Sequence, residues 1–165
     1  MALNLELKIK VDSHRKFMSI LKLIGAENKG ILKQKDVYYK VKKGLLKLRI
    51  ENKTYSLIMY LRDENGKRWS NYKLMKLVAT NPEKYLNEIL DVETIVVKER
   101  KFWFYNNTRV HLDTVKGLGK YLELETLFTG NKHEATKRFN EIVRILELDT
   151  RKQIHTSYKN LLMNK

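Results

Sequence analysis

The chain opens on strict alternation. Leu3, Leu5, Leu7, Ile9 and Val11 share one face, and Asn4, Glu6, Lys8 and Lys10 share the other. A period of two predicts a half-buried strand. Asp12 and Ser13 follow as capping residues. Phe17, Ile20, Leu21 and Ile24 then recur at helical spacing until Gly25 ends the run. Strands are predicted over residues 33–41 and 45–50, hinged at Gly44, and over 55–61. Asp63-Glu64-Asn65-Gly66 reads as a turn, and a strand resumes over 70–74.

Pro82 behind Asn81 marks the start of a helix over 82–90. A strand over 94–105 ends at Asn106-Asn107, and 109–114 pairs back across that turn. Gly117-Leu118-Gly119 breaks the chain again, and 121–128 is the last long strand. Asn131 caps a helix running to about Leu148, with Ala135, Phe139, Ile142, Val143 and Leu146 on one face. A short helix is predicted over 157–163. About eight strands joined mostly by short turns predict an α+β fold with a mainly antiparallel sheet. No linker or repeat divides the chain, so residues 1–165 are expected to form one domain.

The polar faces of these strands are unusually charged. Lys47 and Arg49 flank Leu48, and Lys98 and Arg100 flank Glu99. Arg109, His111 and Asp113 alternate with Val110 and Leu112. Glu123 and Glu125 alternate with Leu122 and Leu124. Residues two apart share a face, so each set points one way. Two arrangements satisfy the pattern. In one, the sheet has a wet face with scattered, solvated charges. In the other, the sheet curls into a barrel with its charges inward. A charged interior is costly unless it is paired. It suits a polyanion such as a polyphosphate, with hard cations on the carboxylates. Arg and Lys bind phosphate oxygens. Carboxylates without cysteine suit Mg²⁺ or Mn²⁺.

Composition narrows the field. Among 165 residues, 34 Lys and Arg face 19 Asp and Glu, a formal net charge of +15. The hydrophobic fraction of 42% is too high for a disordered basic tail. The chain has no cysteine, which excludes a disulfide framework, a thiolate zinc site and a Cys nucleophile. No apolar run approaches the roughly 20 residues of a membrane span. The opening MALNLELKIK puts charge where a signal peptide needs an apolar stretch, so the cytoplasm is the expected location. The charge excess fits nucleic acid, a membrane surface or a phosphorylated small molecule, or it serves solubility. The aromatics are not clustered as a base-stacking platform, which argues against nucleic acid.

Five segments resemble the motifs of the CYTH domain, the triphosphate-tunnel metalloenzymes. LNLELKIKV is similar to the E-x-E-x-K strand. QKDVYYKVKKGLLKLRI is similar to the acidic and aromatic block that ends in K-x-R. LRDENGKRWSNY, VVKERKFW and TRVHLDTVKGLGKYLELE resemble the remaining three blocks. Each alone is weak, but five in order over nearly the whole chain are specific.

The resemblance implies an eight-stranded antiparallel β-barrel flanked by helices, a tunnel that holds a triphosphate. It implies Mg²⁺ or Mn²⁺ on Glu6, Glu123 and Glu125, with Asp113 contributing. Phosphate contacts are expected from Lys8, Lys47, Arg49, Arg68, Lys98, Arg100 and Arg109. Glu6, Lys8, Arg109 and Asp113 are the expected catalytic residues. Tyr38, Tyr60 and Tyr72 are candidate base or sugar contacts, set against ordinary packing. His111 is a candidate base or ligand, set against a structural role. Arg62 and Lys67, at or near the loop of the third block, are candidates to close over the substrate, set against solvated loop charge, and Ser70 is a candidate phosphate donor, set against a turn role.

The first acidic position of the opening motif is Asn4 here. That variant, and the stretch HLDTVKGLG, resemble the class IV adenylate cyclase branch. The expected reaction is ATP to cyclic AMP and pyrophosphate. The competing expectations are a triphosphatase (thiamine, inorganic or RNA 5′ triphosphate) and a non-catalytic nucleotide- or polyphosphate-binding protein. The expected partner is a small-molecule triphosphate, ATP favoured. Neither a membrane nor nucleic acid is expected, apart from an RNA 5′ triphosphate. The cyclase resemblance also implies a homodimer.

Overall fold

A computed structural model describes residues 2–60 and 69–165. The turn at 63–66 and the candidates Arg62, Lys67 and Arg68 lie outside the described residues, as does the Ser70 side chain. The strands are β1 (Ala2–Val11), β2 (Glu27–Tyr39), β3 (Leu45–Glu51), β4 (Thr54–Tyr60), β5 (Trp69–Leu77), β6 (Val92–Tyr105), β7 (Thr108–Val115) and β8 (Gly119–Leu127). The helices are α1 (Arg15–Leu23), α2 (Pro82–Ile89), α3 (Lys132–Ile145) and α4 (Tyr158–Met163), with a 3₁₀ turn at Thr150–Lys152.

Every ladder is antiparallel, and the strand order is β1-β5-β4-β3-β2-β6-β7-β8. β8 pairs back onto β1, which closes the barrel. The α+β class and the eight-stranded antiparallel barrel read from the sequence are the observed architecture. Two tight turns fix its registers. Asn52-Lys53 joins β3 to β4, and Asn106-Asn107 joins β6 to β7, both with positive φ. Paired left-handed residues match the twist of a two-residue hairpin, and Asn tolerates that conformation well.

The helices cover the outside. Leu5, Leu7 and Ile9 of β1, Trp103, Val110, Leu112, Leu122 and Leu124 form one buried cluster with Leu21 of α1 and Phe139 and Ile142 of α3. Val37, Tyr39 and Leu48 form a second, against Leu86 of α2 and Leu90 beyond it. The third cluster is different, because it packs inward-facing residues. Tyr38, Val96, Val115 and Tyr121 meet Tyr158, Leu161 and Leu162 of α4. The C-terminal helix therefore packs onto one end of the barrel interior. Lys159 anchors it through Glu93 at 2.8 Å.

Several boundaries differ from those read in the sequence. β2 begins at Glu27, not Lys33, because the polar run Glu27–Gly30 pairs with β6 through a bulge. Gly30 supplies the positive φ there. The N-cap of α1 is His14, which makes no side-chain capping bond, and Ser13 Oγ accepts from the Arg15 N–H. α3 stops at Ile145, because Glu147 turns left-handed. Asn81 and Asn131 act as caps as expected, accepting from Lys84 N–H and from His133 and Glu134 N–H.

Phe139 is almost fully buried between α3 and the barrel. Phe139→Ala is expected to destabilise the protein by about 3–5 kcal/mol, read as a lower denaturant midpoint at unchanged slope.

Candidate active site

The barrel registers stack the charged side chains in rows. Arg109 sits between Phe104 and Glu125, and Glu125 faces Glu6. One pleat along, His111 sits between Phe102 and Glu123, and Glu123 faces Lys8. One pleat further, Asp113 sits between Arg100 and Tyr121. Across the barrel, Asp36 lies beside Arg49, and Tyr38 beside Lys47. Gln34 lies beside Lys98. The interior thus grades from the Arg109–Glu125–Glu6 row to the Asp113–Tyr121 row, where α4 packs.

Two fully buried carboxylates organise the cations. Asp36 accepts from Lys47 Nζ at 2.9 Å and from Arg49 Nε and Nη2 at 2.8 Å each. Lys98 Nζ lies 3.5 Å from it. Asp113 accepts a bidentate pair from Arg100, Nε and Nη2 at 2.7 Å each, and the Tyr158 hydroxyl donates to Oδ2 at 2.9 Å. Such forks fix both position and plane of the guanidinium.

The glutamates are held less fully. Arg100 Nη2 reaches Glu123 Oε2 at 2.7 Å, and Lys8 Nζ lies 3.4 Å from Oε1. Arg109 Nη1 lies 3.3 Å from Glu125 Oε2 and 3.4 Å from the Tyr72 hydroxyl. Lys8 Nζ also donates to the Thr156 carbonyl at 3.0 Å and stands 4.4 Å from the Tyr158 ring centre. Ligand atoms of His111, Glu123 and Glu125 all lie within 4.8 Å of one another.

Burial strains the protonation of this interior. Burial would raise the Asp36 carboxyl, but Lys47, Arg49 and Lys98 hold it well below the usual range. Burial raises Glu123 as well, and Lys8, Arg100 and Lys98 overcome it. Desolvation, with Arg49 adjacent, pulls the Lys47 ammonium down to about 7. Desolvation, with Arg100 adjacent, pulls Lys98 down to about 8. Burial and Arg100 depress the His111 imidazole to about 3, so it is neutral.

Comparison with known proteins agrees with this geometry. The CYTH domain family model matches residues 2–158. The chain belongs to the CYTH domain family. No curated protein matches the sequence. Among solved structures, the PH1012 protein of Pyrococcus horikoshii is similar at TM-score 0.79 and 23% identity, covering 96% of this chain and 98% of that one. A candidate adenylate cyclase of Vibrio parahaemolyticus is similar at TM-score 0.77 and 20% identity, covering 98% of each chain. The Hippeastrum protein HpAC1, described with a dominant triphosphatase activity, is similar at TM-score 0.71 and 13% identity, covering 99% of this chain and 96% of that one. At these identities the likeness concerns the fold. CYTH proteins are generally enzymes that act on triphosphates, as cyclases or triphosphatases, and are generally metal-dependent.

Within this CYTH barrel, the expected residues Lys8, Lys47, Arg49, Lys98, Arg100, Arg109, Asp113, Glu123 and Glu125 converge through the ion pairs above. Glu6 stands in register across from Glu125. The tyrosines divide. Tyr60 and Tyr72 lie tilted at 38°, with ring centres 5.8 Å apart. Tyr38 is buried in the cluster under α4. Lys47 Nζ lies 5.4 Å from the rings of both Tyr38 and Tyr60.

Two residues of the cluster received no role in the sequence reading. Asp36 lies within the second motif block, in register with Arg49, and alternation with Gln34 was its available signal. Tyr158 is 45 residues from its partner Asp113, and no spacing rule reaches that far.

Asp36→Asn removes one charge and leaves Lys47, Arg49 and Lys98 buried without their counter-ion. The expected cost is about 3–5 kcal/mol in chemical unfolding at neutral pH. Because the folded Asp36 value is depressed, its contribution is present above the ordinary carboxylate range and is lost as pH falls through the folded value. The difference between wild type and Asp36→Asn is therefore expected to shrink below about pH 4.

Proposed function

We propose that this CYTH protein is a metal-dependent enzyme of the class IV adenylate cyclase type, converting ATP to cyclic AMP and pyrophosphate. The observation that carries the reading is the order of charge along the barrel. The glutamates Glu6 and Glu125 share one row with Arg109, and the cations Lys8, Lys98 and Arg100 gather toward α4.

The donor set fits a divalent cation, since Glu123, Glu125 and a neutral imidazole converge and Glu6 stands opposite Glu125. Glu6, Glu123 and Glu125 would hold Mg²⁺ or Mn²⁺. Bound there, the cation supplies positive charge that offsets phosphate repulsion and favours ionisation of the attacking hydroxyl. Asp113 has both oxygens engaged by Arg100 and Tyr158. Its role in this reading is to orient Arg100 rather than to bind metal.

The β- and γ-phosphates bind among Lys8, Lys47, Arg49, Lys98 and Arg100, and the α-phosphate lies near Arg109. The ribose 3′-oxygen attacks the α-phosphorus as the bond to the bridging β-oxygen breaks. The hydroxyl proton leaves to water, because Glu6 and Glu125 are assigned to the cation, and the new charge on pyrophosphate meets cations already held in place. Tyr60 and Tyr72 offer a tilted pair of aromatic rings for base or sugar.

Incubation with ATP and Mn²⁺ is expected to yield cyclic AMP and pyrophosphate. ADP with phosphate would move the reading to a triphosphatase, and no product from any triphosphate would end both. The Glu123→Ala, Glu125→Ala double variant should lose metal-dependent turnover by about a hundredfold or more; unchanged turnover would refute their role.

The depressed lysines add a pH signature. Near pH 8, Lys47 and Lys98 are partly neutral in the free protein. Bound phosphate restores their charge, so binding takes up protons, and affinity falls as pH rises through about 7 to 8. Calorimetry of tripolyphosphate binding at pH 8, in buffers of different ionisation enthalpy, measures the uptake. Lys98→Met should reduce it.

A further inference from the structure

His111 is buried, with 4% of its surface exposed, and its Nδ1 has no hydrogen-bond partner among the described residues. The nearest carboxylate oxygen, Glu125 Oε1, lies 3.7 Å away, too far for a hydrogen bond. Buried polar atoms are nearly always satisfied, so an orphaned ring nitrogen needs an explanation. The ring is held from the other side. Phe102 packs against it edge-on, with centres 5.2 Å apart. Its position on β7 opposite Glu123, with Glu125 two residues further on the same face, brings one nitrogen and two carboxylates together.

We infer that His111 Nδ1 is a nitrogen ligand, completing with Glu123 and Glu125 a mixed imidazole–carboxylate metal centre that favours Mn²⁺ over Mg²⁺. The inference deepens the metal-dependent reading above and rests on it for the metal's catalytic use. The spacing suits an ion at the centre of the three. Adjacent ligands about 2.1 Å from a shared cation stand roughly 3–4 Å apart, and these atoms lie within 4.8 Å, so side-chain rotation closes the remainder.

The neighbouring cations leave room for the ion. Arg100 occupies Glu123 Oε2, while among the described residues Oε1 faces the longer 3.4 Å approach of Lys8. Lys8 can yield that oxygen, because the Thr156 carbonyl and the Tyr158 ring also hold its ammonium. Arg109 occupies Glu125 Oε2 and leaves Oε1 on the His111 side. Mg²⁺ prefers an all-oxygen octahedron and sheds water reluctantly, whereas imidazole suits softer divalent ions. One nitrogen donor therefore shifts preference toward Mn²⁺.

The test uses Mn²⁺ alone, without substrate. Pulsed electron paramagnetic resonance of the Mn²⁺-loaded protein should show ¹⁴N modulation from a directly bound imidazole. His111→Gln should abolish the modulation and weaken Mn²⁺ about tenfold or more, while changing Mg²⁺ affinity, read by competition, less than threefold. In the unmodified protein, Mn²⁺ should broaden the His111 ring resonances before those of His14, His133 and His155, which needs no variant to fold. Mn²⁺ bound without nitrogen coupling, coupling that survives His111→Gln, or no Mn²⁺ binding would each overturn the inference. Nitrogen coupling without turnover of any triphosphate would retain this centre and end the enzymatic reading. Turnover with oxygen-only coordination would do the reverse.

Discussion

The structure depends on the pairing of charge inside a closed barrel. Among the described residues, six basic side chains point into an interior where an unpaired ammonium or guanidinium would be prohibitive. Asp36 and Asp113 make that interior foldable. Each is fully buried, and each spends both oxygens on cations from neighbouring strands. They are counter-ions built into the wall. In the proposed reading, Lys47, Arg49, Lys98 and Arg100, held in place by these carboxylates, are the cations that meet phosphate oxygens.

This arrangement moves the ordinary core elsewhere. Apolar side chains that would fill a small barrel lie on its outside, where α1 and α3 cover one flank and α2 another. The exception is the end capped by α4, where Tyr38, Val96, Val115 and Tyr121 are packed under Tyr158. Tyr158 belongs to both systems. Its ring joins that apolar cluster and faces Lys8 and Lys98, and its hydroxyl bonds Asp113. Packing of the C-terminal helix and the geometry of Arg100 are therefore linked through one side chain.

What was legible in the sequence follows from this division. Strand periodicity exposed Lys47 with Arg49, Lys98 with Arg100, and Glu123 with Glu125, because each pair stands two apart on one strand. The barrel and the tunnel came from family resemblance, since alternation alone allowed an open wet sheet as well. Asp36 was obscured by Lys35 and by the apolar run Val37-Tyr38-Tyr39, and its role emerges only when β3 and β6 are brought alongside β2. The start of β2 was hidden because Glu27–Gly30 has strand geometry without strand composition. Its pairing with β6, not its own propensity, decides its conformation.

Asn4 shows how the balance of this interior is tuned. It is buried on the inward face of β1, two residues before Glu6, and its Nδ2 has no hydrogen-bond partner among the described residues. A carboxylate there would add negative charge at the glutamate end of the barrel, where Glu6 and Glu125 already face each other across strands. Like charges so placed repel unless a cation lies between them. The neutral amide lowers that repulsion, so this end can fold on fewer counter-charges. In the proposed reading, Glu6, Glu123 and Glu125, with the His111 nitrogen, are the donors for positive charge. In the proposed reaction, the glutamate end meets the reacting phosphorus and the lysine end meets the leaving pyrophosphate. Their separation along the barrel then sets which phosphorus is attacked, and no protein nucleophile is required.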